Sequence, residues 1–280
     1  MMKIRCMTKA DLDFALGLTS KEGWSSTKTD FEELLAFDAH GCFIGEENRE
    51  KVGMVCAITY GEFGTIGNLI VIDEYRGRGL GAMLMEHAMS YLCRIGALEM
   101  YLDGVQAAVS LYERLGFKKI CRSLRLSGII AGKSSRKVRP MRELDFDEVL
   151  AIDRKHFKAD RSFFLKSCHE KNPRLCKVLE VDNKIAGYIL GSPRERSARI
   201  GPWVMDSHLN KAVELVKSFA VETENQMIQL GVLESNVPAV QLIKKIGFTE
   251  TSYSWRMARG KPESIEFSKG LYSIHSPARG

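Results

Sequence analysis

The sequence predicts an α/β chain built from two similar domains in tandem, each a mixed β-sheet flanked by helices. Length is the first observation: 280 residues, 45% of them apolar, suffice for one large domain or two ordinary cores. Second, the apolar period switches between two and 3.6 residues in the order β-α-α-β-β-β-α-β-α-β within the first half. Third, short words of the first half return in the second at a nearly fixed distance. Lys3–Met7 is echoed by Lys137–Met141, 134 residues on; Lys51–Met54 by Lys184–Gly187, 133 on; Leu111–Phe117 by Leu242–Phe248, 131 on. Ordered markers at one spacing argue for a duplicated domain.

Lys3–Met7 reads as a short edge strand. Thr8 caps the helical pattern of Asp11–Leu18, with Asp11 at the capping-box position. The loop Glu22–Thr27 sets Trp24 among small polar residues, and Thr29–Phe37 is a second helix. Cys42–Glu47 and Val52–Tyr60 form a hairpin across Asn48, Arg49 and Glu50. Phe63–Ile72 is the next strand, where Gly64 and Gly67 point to a bulge or a close backbone approach. Gly81–Ile95 is the parallel crossover helix, and Leu98–Asp103 the strand after it. Ala108, Leu111, Tyr112 and Leu115 share one face of a further helix, and Gly116 releases the chain into a strand from Phe117. Ser127–Arg136 lacks periodicity and carries Gly, Ser and cations, as linkers do. The expected domains are therefore residues 1–130 and 131–280.

Composition bounds the function. The formal charge of +6 and pI of about 8.9 are modest, and a polyanionic cofactor accounts for part of them. Lys and Arg are dispersed without the aromatic interleaving of a single-strand binder, and Arg194–Arg196 and Arg256–Lys261 read as solvated faces. No nucleic-acid partner is expected. Nor is a membrane: no apolar run approaches roughly 20 residues, and Met1–Arg5 enters a strand without a signal-peptide core. Seven scattered cysteines without C-x-x-C spacing suit a reducing, cytoplasmic setting. His156, Cys168 and His169 lack metal-ligand pairing, so no metal is expected; His87 reads as solvated.

Chemistry concentrates at Ile70–Met85. A β-branched run, Leu69–Ile72, passes into Arg76-Gly77-Arg78-Gly79-Leu80-Gly81-Ala82 and then into a helix. Alternating glycines let backbone N–H groups turn inward, and a nest of amides at a helix N-terminus binds anions. Arg76 and Arg78 add positive charge, so a pyrophosphate is the expected ligand. The loop lacks the Gly-Lys-Ser/Thr end of a nucleotide-triphosphatase loop. Its G-x-G-x-G is one residue short of the dinucleotide fingerprint G-x-G-x-x-G.

Arg76, Gly79 and Gly81, read as R-x-x-G-x-G, resemble the acyl-CoA loop of the GNAT superfamily of N-acetyltransferases. The string Leu111-Tyr112-Glu113-Arg114-Leu115-Gly116-Phe117 is similar to the superfamily's second cofactor motif, whose tyrosine stands beside the cofactor sulfur. The resemblance covers nearly all of the chain as a tandem protein, and implies a splayed sheet into which the pantetheine arm slots. It implies direct transfer of an acetyl group from acetyl-CoA to an amine, without an acyl-enzyme. Backbone groups of Leu69, Ile70 and Val71 would serve the carbonyl and pantetheine, with Arg76, Gly77, Arg78, Gly79, Leu80, Gly81 and Ala82 on the pyrophosphate. Tyr112 would be the acid; Asp103 and Glu22 are candidate bases.

The second copy departs from this pattern. Trp203-Val204-Met205-Asp206-Ser207-His208-Leu209 carries no glycine, Asp206 would repel a pyrophosphate, and Ile243 replaces the tyrosine. Yet Asn236, Ala239 and Leu242 match the superfamily's N-x-x-A-x-x-L, where the first copy has Val105 and Gln106. The second domain is thus expected to be structural or to serve the acceptor side. Trp24 either plugs a domain edge or walls an acceptor pocket, and Trp203 is either core or acceptor-facing. The acceptor is a small-molecule or protein amine; the chain is a monomer with an internal pseudo-dimer, or a homodimer. Two other classes stay open: a non-catalytic acyl-CoA-binding regulator, and a nicotinamide-dependent reductase, which the glycine spacing disfavours.

Overall fold

The computed structural model describes residues 2–260 and 268–280. These divide into two compact units. Unit 1 gathers residues up to Ile120, the stretch that begins at Trp255, and Pro277–Gly280; unit 2 holds Cys121–Ser254 and the stretch that ends at Ser276. Both domains therefore depart from the expected division at 130/131. Unit 1 takes in late segments of the chain and unit 2 takes in residues 121–130, because an alternating apolar pattern fixes which face of a strand is buried but not which strand lies beside it.

In unit 1 the order is β1 (Lys3–Cys6), α1 (Leu12–Lys21), α2 (Lys28–Phe37), β2 (Cys42–Glu47), β3 (Glu50–Thr59), β4 (Phe63–Val71), α3 (Leu80–Arg94), β5 (Glu99–Gly104) and α4 (Val109–Arg114). β6 (Lys118–Gly128) then passes into unit 2. The sheet runs β1-β2-β3-β4-β5-β12, with β12 (Thr249–Arg259) arriving from late in the chain. Its residues Trp255–Arg259 pair antiparallel with Gly104–Met100. Among the described residues only β4 and β5 of this unit pair in parallel, from Phe63↔Glu99 to Ile66↔Leu102, and α3 is their crossover. Leu84, Ala88 and Leu92 of α3 bury against Val55, Ala57, Ile66 and Leu102. Each such leucine contributes roughly 2 kcal/mol of burial.

Both meanings of a strand glycine occur in β4. Gly64 is the close approach, since a Cβ there would stand 2.7 Å from Leu92 of α3. Gly67 borders the bulge, where the β3–β4 register shifts and Asn68 takes φ +53°. Past Ile66, β4 leaves β5, and the sheet opens there.

Unit 2 repeats the plan: β7 (Val138–Pro140), α5 (Phe146–Phe157), α6 (Ser162–Lys171), β8 (Lys177–Val181), β9 (Lys184–Arg194), β10 (Ser197–Met205), α7 (Ala212–Val221), β11 (Met227–Leu233) and α8 (Val237–Lys245). Its sheet runs β6-β11-β10-β9-β8-β7, parallel among the described residues only from Ser197↔Met227 to Ile200↔Leu230. Ser127 and Gly128, expected in a linker, end β6 because they pair with Gln229 and Ile228; the irregular stretch is residues 129–137. A last strand, β13 (Leu271–Ser273), pairs with β10.

Candidate active site

The glycine-rich loop of unit 1 has the form its sequence requires. Gly77 and Gly79 take φ +76° and +79°, a region costly to any residue with a Cβ, and both face open space. Gly79 caps α3, and among the described residues no backbone acceptor takes the N–H groups of Gly77, Arg78, Gly79, Leu80, Gly81 or Ala82. That run of amides at the start of a 15-residue helix is an anion cradle. Arg76 anchors it: Nε donates to the Val71 carbonyl at 2.8 Å, while the guanidinium meets Asp73 at 2.9 Å and Glu22. Arg78 stacks on Tyr75 at 4.9 Å and pairs with Glu47 at 2.6 Å.

Just upstream, the opened edge of β4 supplies further donors. Ile72 N–H bonds to Val52 of β3, so by alternation Ile70 also turns toward β3, while Leu69 and Val71 turn toward the opening. Leu69 and Val71 therefore present their main chain at the splay, and Ile70 does not.

Tyr112 lies on α4, buried, with its ring edge-on to Phe117 at 6.3 Å. Gly104 makes room for it, since a Cβ there would come within 2.7 Å of the ring. Burial pushes its pKa up to about 12. No partner for its hydroxyl is found among the described residues. The phenol is thus protonated and uncommitted, as a proton donor must be.

Both candidate bases are engaged by guanidinium groups. Asp103 on β5 is buried against Arg256 of β12 at 2.5 Å. Arg256, expected on a solvated face, is a core residue for the same reason; Lys261 lies outside the described residues. Glu22 follows α1, exposed, and pairs with Arg76. Trp24 is half-buried in the loop beyond it. His87, expected to be solvated, stands edge-on to Phe43 at 4.6 Å, and burial lowers its pKa.

Among the described residues unit 2 holds no comparable loop. Trp203–Met205 lie inside β10, so the segment that replaces the cradle is Asp206–Lys211, also without glycine. Asp206 is taken by Lys155 at 2.7 Å and His156 at 2.8 Å. Trp203 is a correction to the acceptor reading: it is fully buried in the unit's core against Tyr272, at 5.0 Å.

The opening between β10 and β11 is filled by the chain itself. β13 pairs with β10 through Trp203↔Ser273 and Val204↔Leu271, and Met205 N–H donates to Gly270 O. On the other side, Ile274 N–H donates to Gly231 O of β11 at 2.9 Å. Asn236 caps α8 and spends its side-chain amide on Lys269 O at 2.9 Å and Leu271 O at 2.8 Å. Sequence reasoning missed this segment. Its only signal is the short apolar and aromatic run Leu271-Tyr272-Ser273-Ile274, which names no partner. Among the described residues, no group of three potential ligands could hold a metal, and no helix is long and apolar enough to cross a membrane.

A family model described as "Acetyltransferase (GNAT) family" matches residues 13–117, and one described as "Acetyltransferase (GNAT) domain" matches residues 149–273. The chain belongs to the GNAT acetyltransferases, as a member with two such domains in tandem. The holothin acyltransferase of Pseudoalteromonas sp. (strain SANK 73390) is 24% identical over 252 residues, 89% of this chain and 84% of that protein. A putative acetyltransferase from Pyrococcus horikoshii shares the fold with a TM-score of 0.85 at 23% identity, covering 100% of this chain and 96% of that one. A tandem GNAT protein from the clavulanic acid biosynthesis pathway shares it at 0.64 and 12% identity, covering 93% and 98%.

Proposed function

We propose that unit 1 is an acetyl-CoA-dependent N-acetyltransferase and that unit 2 binds no cofactor. The observation that carries this reading is the contrast between the two openings. One has a free amide cradle at Gly77–Ala82, and the other is filled by residues 269–274. Bound acetyl-CoA supplies an acetyl thioester, which an acceptor amine attacks at the carbonyl carbon to give the amide and free thiol.

The chain's residues act around that event. The amides of Gly77 to Ala82, with Arg76 and Arg78, hold the pyrophosphate; that anion competes with Glu22 and Glu47 for the two guanidiniums. The main-chain groups of Leu69 and Val71 orient the pantetheine and the carbonyl oxygen. Tyr112 gives its hydroxyl proton to the departing sulfur as the carbon–sulfur bond breaks. Asp103 stays paired with Arg256, and Glu22, from which the pyrophosphate draws Arg76, is exposed to solvent, so the proton of the attacking amine passes to water.

The holothin relative is, by its name, an acyltransferase acting on holothin; acyl transfer by this chain is in keeping with it. Steady-state release of free CoA from acetyl-CoA, measured against a panel of amines, tests the reading. Amine-dependent release is expected. A protein that binds acetyl-CoA and releases none with any amine would be a cofactor-binding regulator.

A further inference from the structure

β4 has two faces, and one is covered by residues from far along the chain. Gly64 points at α3, so by alternation Thr65 and Gly67 face the opposite side. There lies Pro277–Gly280, which belongs to unit 1. A Cβ added to Gly67 would stand 2.6 Å from the Cβ of Ala278, so the segment rests on bare backbone. Thr65 Oγ1 donates to Ala278 O at 3.1 Å, and the Tyr60 hydroxyl donates to Arg279 O at 2.7 Å.

Arg279 then reaches α2. Its guanidinium, in a residue 3% exposed, meets Glu33 Oε2 at 2.8 Å, Asp30 Oδ1 at 3.5 Å and the Asp30 carbonyl. Dehydrating an arginine and a glutamate costs several kcal/mol, and their attraction offsets it only in good geometry. Such a pair fixes a position more than it adds stability. The position matters because Asn68 follows Gly67 directly, and Leu69–Val71 is where the acyl group is oriented on the reading above.

We propose that Pro277–Gly280 is a wall of the acceptor side of unit 1, with Arg279 a positioning residue for acceptor selectivity, so that the enzyme takes small primary amines and rejects peptide N-termini. The inference rests on the acetyl-transfer reading. A peptide lying extended across this face needs the depth of a layer stacked on the sheet, about 10 Å, and the strap already rests on the backbone at Gly67. A small amine needs no such depth.

The experiment measures CoA release by the full chain, Arg279→Ala and Ala278→Leu, with small primary amines and with peptides bearing free N-termini. For the wild type, kcat/KM for the best small amine should exceed that for the best peptide by about tenfold or more. Arg279→Ala should narrow that gap about tenfold, with acetyl-CoA affinity by calorimetry within about twofold of wild type. Ala278→Leu keeps the ion pair but lifts the strap off Gly67, so it should narrow the gap too. If Arg279→Ala loses cofactor binding through misfolding, the wild-type panel and Ala278→Leu decide. Peptides used as well as small amines by the wild type overturn the inference alone. Unchanged selectivity in variants that bind acetyl-CoA normally does the same. No release with any amine overturns the acetyl-transfer reading and this inference together.

Discussion

A tyrosine buried on α4 with no hydrogen-bond partner for its hydroxyl among the described residues does nothing for packing that phenylalanine would not do. On the acetyl-transfer proposal its hydroxyl is the proton donor. Tyr112→Phe should lower kcat roughly a hundredfold while leaving acetyl-CoA affinity near wild type, as measured by steady-state kinetics and calorimetry. A loss within about twofold would make Tyr112 a packing residue. Because burial raises its pKa to about 12, kcat should not fall through its ordinary value of 10 as the solution is made alkaline. The sequence made Tyr112 and the glycines legible because their roles are local: a face of one helix, a turn with positive φ. Asp103 and Glu22 were legible as carboxylates at a strand end and in a loop. Their guanidinium partners were not, since a pairing between Asp103 and Arg256 is created by topology and leaves no mark on spacing.

At the scale of elements, the duplication is visible in matching ion pairs. Arg5 grips Asp11 with two bonds of 2.7 and 2.9 Å, and Arg139 grips Asp145 with two of the same lengths, 134 residues on. Asp11 also accepts from Thr8 N at 2.9 Å and pairs with Lys51 at 2.6 Å. Arg5 above all, then Lys51 and Thr8, hold the Asp11 carboxyl far below its ordinary 3.8. At Asp145 burial works the other way, but Arg139 and the Arg142 amide outweigh it and the shift is again downward. A depressed carboxylate contributes stability that is present above its unfolded pKa and lost as pH falls below it. Asp11→Asn should therefore cost about 2 kcal/mol near neutral pH. It should also blunt the loss of stability that the wild type suffers in urea titrations below about pH 4. An equally steep acid loss in the variant would assign that sensitivity elsewhere. Most element boundaries fell within a residue or two of the periodic pattern, while α1 runs three residues past the expected Leu18 to Lys21. The exceptions are instructive: β6 runs past the expected linker start, and β13 is too short to declare itself.

On the scale of the whole molecule, neither unit is contiguous. Residues 1–130 lack Trp255–Arg259 beside β5 and the strap that carries Arg279, so Asp103 and Glu33 lose their guanidinium partners. Each orphaned buried charge costs about 3–5 kcal/mol, against a total stability of about 5–15 kcal/mol for a domain. That fragment should show no cooperative unfolding transition by circular dichroism, and a folded fragment that binds acetyl-CoA would contradict the exchange. The central claim is that one opening is built for acetyl-CoA and the other is closed by β13. Calorimetric titration of the full chain with acetyl-CoA tests it most directly. One site per chain is expected, abolished by Gly79→Glu, which puts a side chain at φ +79° and a negative charge in the anion cradle. Two sites per chain, or a single site that survives Gly79→Glu, would contradict it.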